Sequence, residues 1–231
     1  MNSILKTVAL IAVLGSTLPM TAHAQFGGMF GGGSSEPSGP SVEGLVDNNN
    51  NIVQRYQSAL GNLLTAQDIL KEALGISEQG ERAAGTAESL GGGVVEKDEL
   101  ERATALTEEN NQLITKKIAE GGKLDEASRV QYATALPYYA KGTLDSYLII
   151  PEATAFAANV SSKVGELSSN PMAVLDLLEL RNGVASGLFV ASELPSLIGE
   201  WYNNSAALIT FGQENDVDVS EAETAMGQIE L

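Results

Sequence analysis

Arg181 stands where an arginine is costly. Between residues 170 and 211, Val174, Leu177, Arg181, Val184, Leu188 and Ala191 recur at alternating steps of three and four. That spacing makes one face of a helix, and Leu178, Ala185 and Phe189 widen it. A guanidinium on an apolar stripe cannot stay buried without a partner. Three arrangements answer this: a receptor for an anion or carboxylate inside the fold, an ion pair with an acid of another helix, or a break at Arg181-Asn182-Gly183 that exposes the side chain. A second group is aromatic. Tyr132, Tyr138, Tyr139 and Tyr147 cluster around Pro137 and Pro151, and Trp201 follows in the apolar stretch. Prolines inside helices kink them, and a gap lined by aromatics with a few hydroxyls suits an apolar ligand. The alternative is that amphipathic tyrosines line the boundary of a core. The ligand-binding expectation therefore rests on Tyr138, Tyr139, Tyr147 and Trp201, with Arg181 meeting an acidic head group.

Three further sets are weaker. Phe26, Met29 and Phe30 stand on a Gly/Ser/Pro-rich background at residues 25–40, as a docking motif for a partner or as filler. Asp216-x-Asp218-x-Ser220 matches the first half of a calcium loop. Glu221 and Gly227 then occupy the sixth and twelfth positions, where that loop needs Gly and Glu. Glu88-Ser89 followed by glycines resembles the catalytic Glu-Ser of helical lytic transglycosylases over these few residues, but the Gly-Leu-Met-Gln type stretch of that family is absent.

Composition removes most other chemistry. There is no cysteine, and the one histidine is His23. His23 falls in a segment with the parts of a secretory signal peptide: a basic start through Lys6, an apolar run over residues 8–18, and Ala22-His23-Ala24 before Gln25. The expected mature chain carries 12 basic and 30 acidic residues, a formal charge of −18. Imidazole or thiolate metal sites, Cys nucleophiles and Ser–His–Asp triads are excluded for it. Nucleic acid and anionic lipid are poor partners for such a charge, because phosphate contacts need Lys and Arg. No cofactor is implied. No uncharged run of the mature chain approaches the ~20 residues of a membrane span. The destination expected is the periplasm of a Gram-negative source, or secretion.

The elements that must position these residues are helical. Few stretches alternate with period two, so the reading is an all-α, antiparallel bundle of five to seven helices, some kinked at proline. Residues 1–24 are the signal peptide, 25–40 a disordered linker, and 41–231 a single helical domain. Residues 41–74 form one long helix. In it Leu45, Asn49, Ile52, Tyr56, Ala59, Leu63, Ala66, Leu70 and Ala73 make a heptad seam, flanked by Val46, Val53, Leu60 and Leu74. Asn49 either fixes register within the seam or belongs to a frayed first turn. Residues 76–90 form a glycine-weakened helix, expected as a mobile helical arm or a loop. Residues 96–120 are a second firm helix with Leu100, Ala103, Leu106, Leu113, Ile114 and Ile118 on one face and Asn110 in its middle. Residues 124–167 are either three short helices or one long helix kinked twice. Asn170-Pro171 starts the next helix. Its apolar circumference predicts burial on several sides. Ser220-x-x-Glu223 is a capping box for a short last helix. The function expected is that of an exported, non-enzymatic binding or accessory protein, touching another envelope protein or itself. Two alternatives are a carrier of an apolar or amphiphilic small molecule and, more remotely, a carboxylate-dependent glycan hydrolase.

Overall fold

The computed structural model describes residues 39–76, 86–87 and 89–230. They form an all-α bundle of six helices: α1 (Val42–Ala73), α2 (Lys97–Ala119), α3 (Glu126–Ser168), α4 (Val174–Gly183), α5 (Ala185–Glu214) and α6 (Ser220–Met226). There is no strand among the described residues. The expected signal peptide, the linker with Phe26, Met29 and Phe30, and Glu88 lie outside the described residues, as does most of the weak helix expected at 76–90.

Helix α1 is the axis of the bundle. Ser41 caps it by accepting the Gly44 N–H at 3.1 Å. Gly75, at φ 69°, ends it. The Gly75 N–H donates to Glu72 O and the Ile76 N–H to Lys71 O, a Schellman closure that needs a left-handed residue. All nine seam positions from Leu45 to Ala73 are buried. Asn49 is buried too, and its role is sharper than either expectation. Its Oδ1 accepts the backbone N–H of Gly187 at 2.7 Å. Val184 offers no side-chain cap to α5, so a residue of α1 caps the start of α5 instead.

The sense of the helices follows from named pairs. Arg55 pairs with Glu152, while Ala59 and Leu63 meet Gly142, so α3 runs antiparallel to α1. Tyr132 bonds Leu208 and Thr143 bonds Ser205, so α5 is also antiparallel to α3. Helix α2 runs alongside α1 in the same direction: Tyr56 meets Thr104, and Lys71 meets Asn110.

Of the two arrangements open for residues 124–167, the structure has the continuous one. Helix α3 spans 43 residues with Pro137 and Pro151 inside it, and α5 likewise runs through Pro195. Asn170 does not start a helix. Its Oδ1 accepts the Met172 N–H within a turn, and α4 begins three residues past Pro171. The Ser220/Glu223 capping box does not form either. Ser220 is already helical and bonds Asp218, while Glu223 accepts from Gln213.

The α1–α3 contact is the most extensive in the bundle, and Gly142 makes it possible. A Cβ at Gly142 would lie 2.8 Å from the carbonyl oxygen of Ala59 and 2.7 Å from Leu63 Cγ. Backbone cannot step aside as a side-chain tip can. Gly142→Ala is expected to lose about 1–3 kcal/mol to overpacking, offset by roughly 1 kcal/mol of helix propensity. Urea unfolding should show a net loss of stability. A gain would mean that the two helices are not held this closely.

Candidate functional site

The residues singled out by sequence do not share one cavity. Trp201 is fully buried in the core, and its indole N–H has no hydrogen-bond partner there. Tyr139 is buried and donates to Asn111 Oδ1 at 2.6 Å. Burial raises the Tyr139 phenol far above its ordinary range, so it stays protonated. Tyr147 donates to the carbonyl of Glu230 at 3.0 Å, which ties α3 to the C-terminal segment. Tyr138 is exposed and lines a groove of about 670 Å³ between α3 and α6, beside Pro137, Lys141 and Glu221. The expected tyrosine–tryptophan pocket is thus corrected to two core residues, one tether and one surface residue. The physical reason is that α3 stays a single helix through its prolines, so the successive residues Tyr138 and Tyr139 face solvent and core respectively.

Arg181 is exposed, at the break between α4 and α5, and makes no ion pair among the described residues. Of the three arrangements open to it, the structure has the one in which Arg181-Asn182-Gly183 interrupts the stripe. Its side chain borders a groove of about 510 Å³ formed by α3, α4 and α5, with Lys97 of α2 at the edge. Val160 and Val164 of α3 and Val184, Leu188 and Phe189 of the α4–α5 turn and α5 supply apolar walls. Among the described residues, no carboxylate lines this groove.

Helix α4 departs furthest from expectation. Burial on several sides was expected, yet Leu180 is its one buried residue. Met172, just before it, is 90% exposed, and Val174, Leu175 and Leu178 are 58%, 79% and 52% exposed. Its N-cap, Ala173, offers no side-chain bond. Scattered exposed apolar residues are ordinary, but four within seven positions of one short segment form a contiguous face. One side of α4 thus walls the groove, and the other presents apolar side chains to solvent.

A set that sequence reading missed lies between α1 and α2. Gln67 donates to Thr107 O at 2.9 Å and to Asn111 Oδ1 at 2.7 Å, and accepts from Asn110 Nδ2 at 3.1 Å. Lys71, 1% exposed, reaches Asn110 Oδ1 at 3.1 Å and Asp68 at 3.2 Å. Gln57 donates to Leu90 O and Gly93 O, clamping the chain ahead of α2. These bonds join α1 to α2, with Gln57 Oε1 and Asn111 Nδ2 left buried and unpartnered among the described residues. They hold α2 in register rather than offering a site. The signal was present in the seven-residue rows beside the seam: Gln67 interrupts Val46, Val53, Leu60 and Leu74, and Gln57, Leu64 and Lys71 form the next row on the same side.

Glu108 of α2 has its carboxyl raised above the ordinary range, first by burial and then by the charges of Glu200 and Glu193. Ionising it therefore costs folded-state stability. That cost is present at pH above its folded value and vanishes once the pH falls below the ordinary glutamate range. Glu108→Gln is expected to raise the melting temperature at pH 7–8, with the gain fading by about pH 4. Paired melts across that range check it, and an equal gain at all pH values would contradict the charge origin. These acids line no groove, and no group of three or more among the described residues is arranged to hold a metal ion. Asp218 turns inward to the Ser220 N–H and hydroxyl.

Among the described residues the architecture is an all-α bundle in which six helices pack together, and none of them is long and apolar enough to cross a membrane. Compared with protein-family models, with curated proteins and with solved structures, the chain has no match.

Proposed function

We propose that this is an exported, non-enzymatic binding or accessory protein of the cell envelope, acting through protein–protein contact, with the outward face of α4 as its docking surface. The observation that carries the reading is the exposure of Val174, Leu175 and Leu178 on a helix that buries one residue of its own, with Met172 exposed just before it. Interfaces centre on such apolar groups within a polar rim, and Asp176, Glu179 and Arg181 supply that rim. The segment with Phe26, Met29 and Phe30 is a second docking element in this reading. In the test, Met172, Leu175 and Leu178 are changed together to Ser, and separately Phe26, Met29 and Phe30 to Ser. Changing exposed α4 residues should alter stability by no more than about 0.5 kcal/mol each. The complex isolated from the host envelope should shrink on native electrophoresis. A complex of unchanged size in both variants counts against the reading.

A carrier of an apolar or amphiphilic small molecule is the second reading. The groove that Arg181 borders favours it, in place of the tyrosine–tryptophan pocket. For the glycan hydrolase, a cleft with paired carboxylates would be needed, and no observation favours it.

A further inference from the structure

We infer that the groove between α3, α4 and α5 binds a single-chain carboxylate amphiphile, its acyl chain along Val160, Val164, Leu188 and Phe189 and its head group at Arg181. This deepens the carrier reading and rests on it. It is separate from partner docking by the apolar residues Met172, Val174, Leu175 and Leu178, none of which lines the groove; Arg181 alone belongs to the rim of both.

Three observations carry it. The groove is of pocket size, about 510 Å³, with walls that are mostly aliphatic and aromatic. Its charged lining is cationic, Arg181 and Lys97, in a chain with 30 acidic residues against 13 basic ones. The two cations are not equivalent. Lys97 Nζ lies 2.8 Å from Glu101 Oε1 and is already compensated. Arg181 has no ion-pair partner among the described residues, and its planar fork matches a carboxylate in two parallel bonds. An apolar tail without a charge would leave Arg181 unused, and a small anion would leave the walls unused. A cationic head group would meet repulsion at both cations. The chemistry that satisfies walls and rim together is a monoanion on a hydrocarbon chain.

The test is calorimetric titration of the purified full chain with dodecanoate below its micelle concentration. Dodecyl maltoside and dodecyltrimethylammonium serve as the uncharged and cationic counterparts. Stoichiometric dodecanoate binding is expected, with each counterpart weaker by about tenfold or more, the worth of a charged hydrogen-bonded head group. Arg181→Glu, at an exposed position, should weaken dodecanoate about tenfold or more and leave dodecyl maltoside unchanged. Ser192→Trp, which fills the groove from an exposed position of its lining, should abolish both. Melting curves of both variants confirm folding. If Ser192→Trp does not fold, Arg181→Glu still decides the question. Dodecanoate binding that ignores Arg181→Glu while dodecyl maltoside binds equally well would overturn the head-group assignment and leave a carrier. No binding by any of the three would overturn both.

Discussion

Trp201→Ala is expected to destabilise the bundle by about 3–5 kcal/mol, the range for deleting a large aromatic from a core. For a domain of this size that lowers the melting temperature by roughly 6–20 °C. The loss comes from buried surface and the cavity left behind, because Trp201 is fully enclosed and its indole N–H makes no bond that could be lost. Trp201→Phe should therefore cost far less, since it keeps a ring and removes an unpaired donor. Urea denaturation of the three proteins measures both effects. The same burial makes Trp201 a poor reporter of ligand: its emission should be blue-shifted and indifferent to dodecanoate. Small destabilisation together with a fluorescence response would place Trp201 at a binding surface and undo its assignment to the core.

Asn111→Ala is the second large effect, expected at about 2–4 kcal/mol. Asn111 Oδ1 accepts from Gln67 Nε2 at 2.7 Å and from the Tyr139 hydroxyl at 2.6 Å. Alanine removes both bonds at once. Gln67 retains Thr107 O, but the buried Tyr139 hydroxyl loses the Asn111 acceptor and keeps only Asn204 as a side-chain partner, at a penalty of about 1–3 kcal/mol. A small cavity adds to it. The double variant Asn111→Ala/Tyr139→Phe tests the origin of the loss. With the stranded hydroxyl gone, it should be more stable than the sum of the single losses predicts, by about 0.5–3 kcal/mol. Strict additivity would mean that the two side chains do not share the bond. The network also bears on function, since α2 carries Lys97 to the edge of the groove and this layer fixes the register of α2.

What the sequence made legible was periodicity. The α1 seam was readable because a strict seven-residue repeat fixes which side chains face inward, and every predicted position is buried. Ser41 and Gly75 stand at the ends of that helix, where capping chemistry is local. The continuity of α3 through Pro137 and Pro151 was not decidable from sequence. The lost backbone bonds and the ring clash disfavour it locally, by about 3 kcal/mol or more each. Packing along 43 residues outweighs them. The apolar stripe around Arg181 was read correctly as a pattern and wrongly as burial. Periodicity says which side of a helix is apolar, not what covers it, and for α4 nothing among the described residues does. The tyrosines failed as a site for a related reason. A Tyr in a core and a Tyr in a pocket have the same sequence signature, and Tyr139 and Tyr147 were separated only by where their hydroxyls found acceptors.

The most direct test of the central claim, that α4 is the contact surface of this protein, is photo-crosslinking in the native host. The crosslinking residue is placed at Leu175, and as a control at Val130 of α3, which is also exposed, at 64%. The account predicts one dominant protein adduct from Leu175, absent from Val130 and lost when Met172 and Leu178 are changed to Ser. Identical adduct patterns from both positions, or none from Leu175, would contradict it.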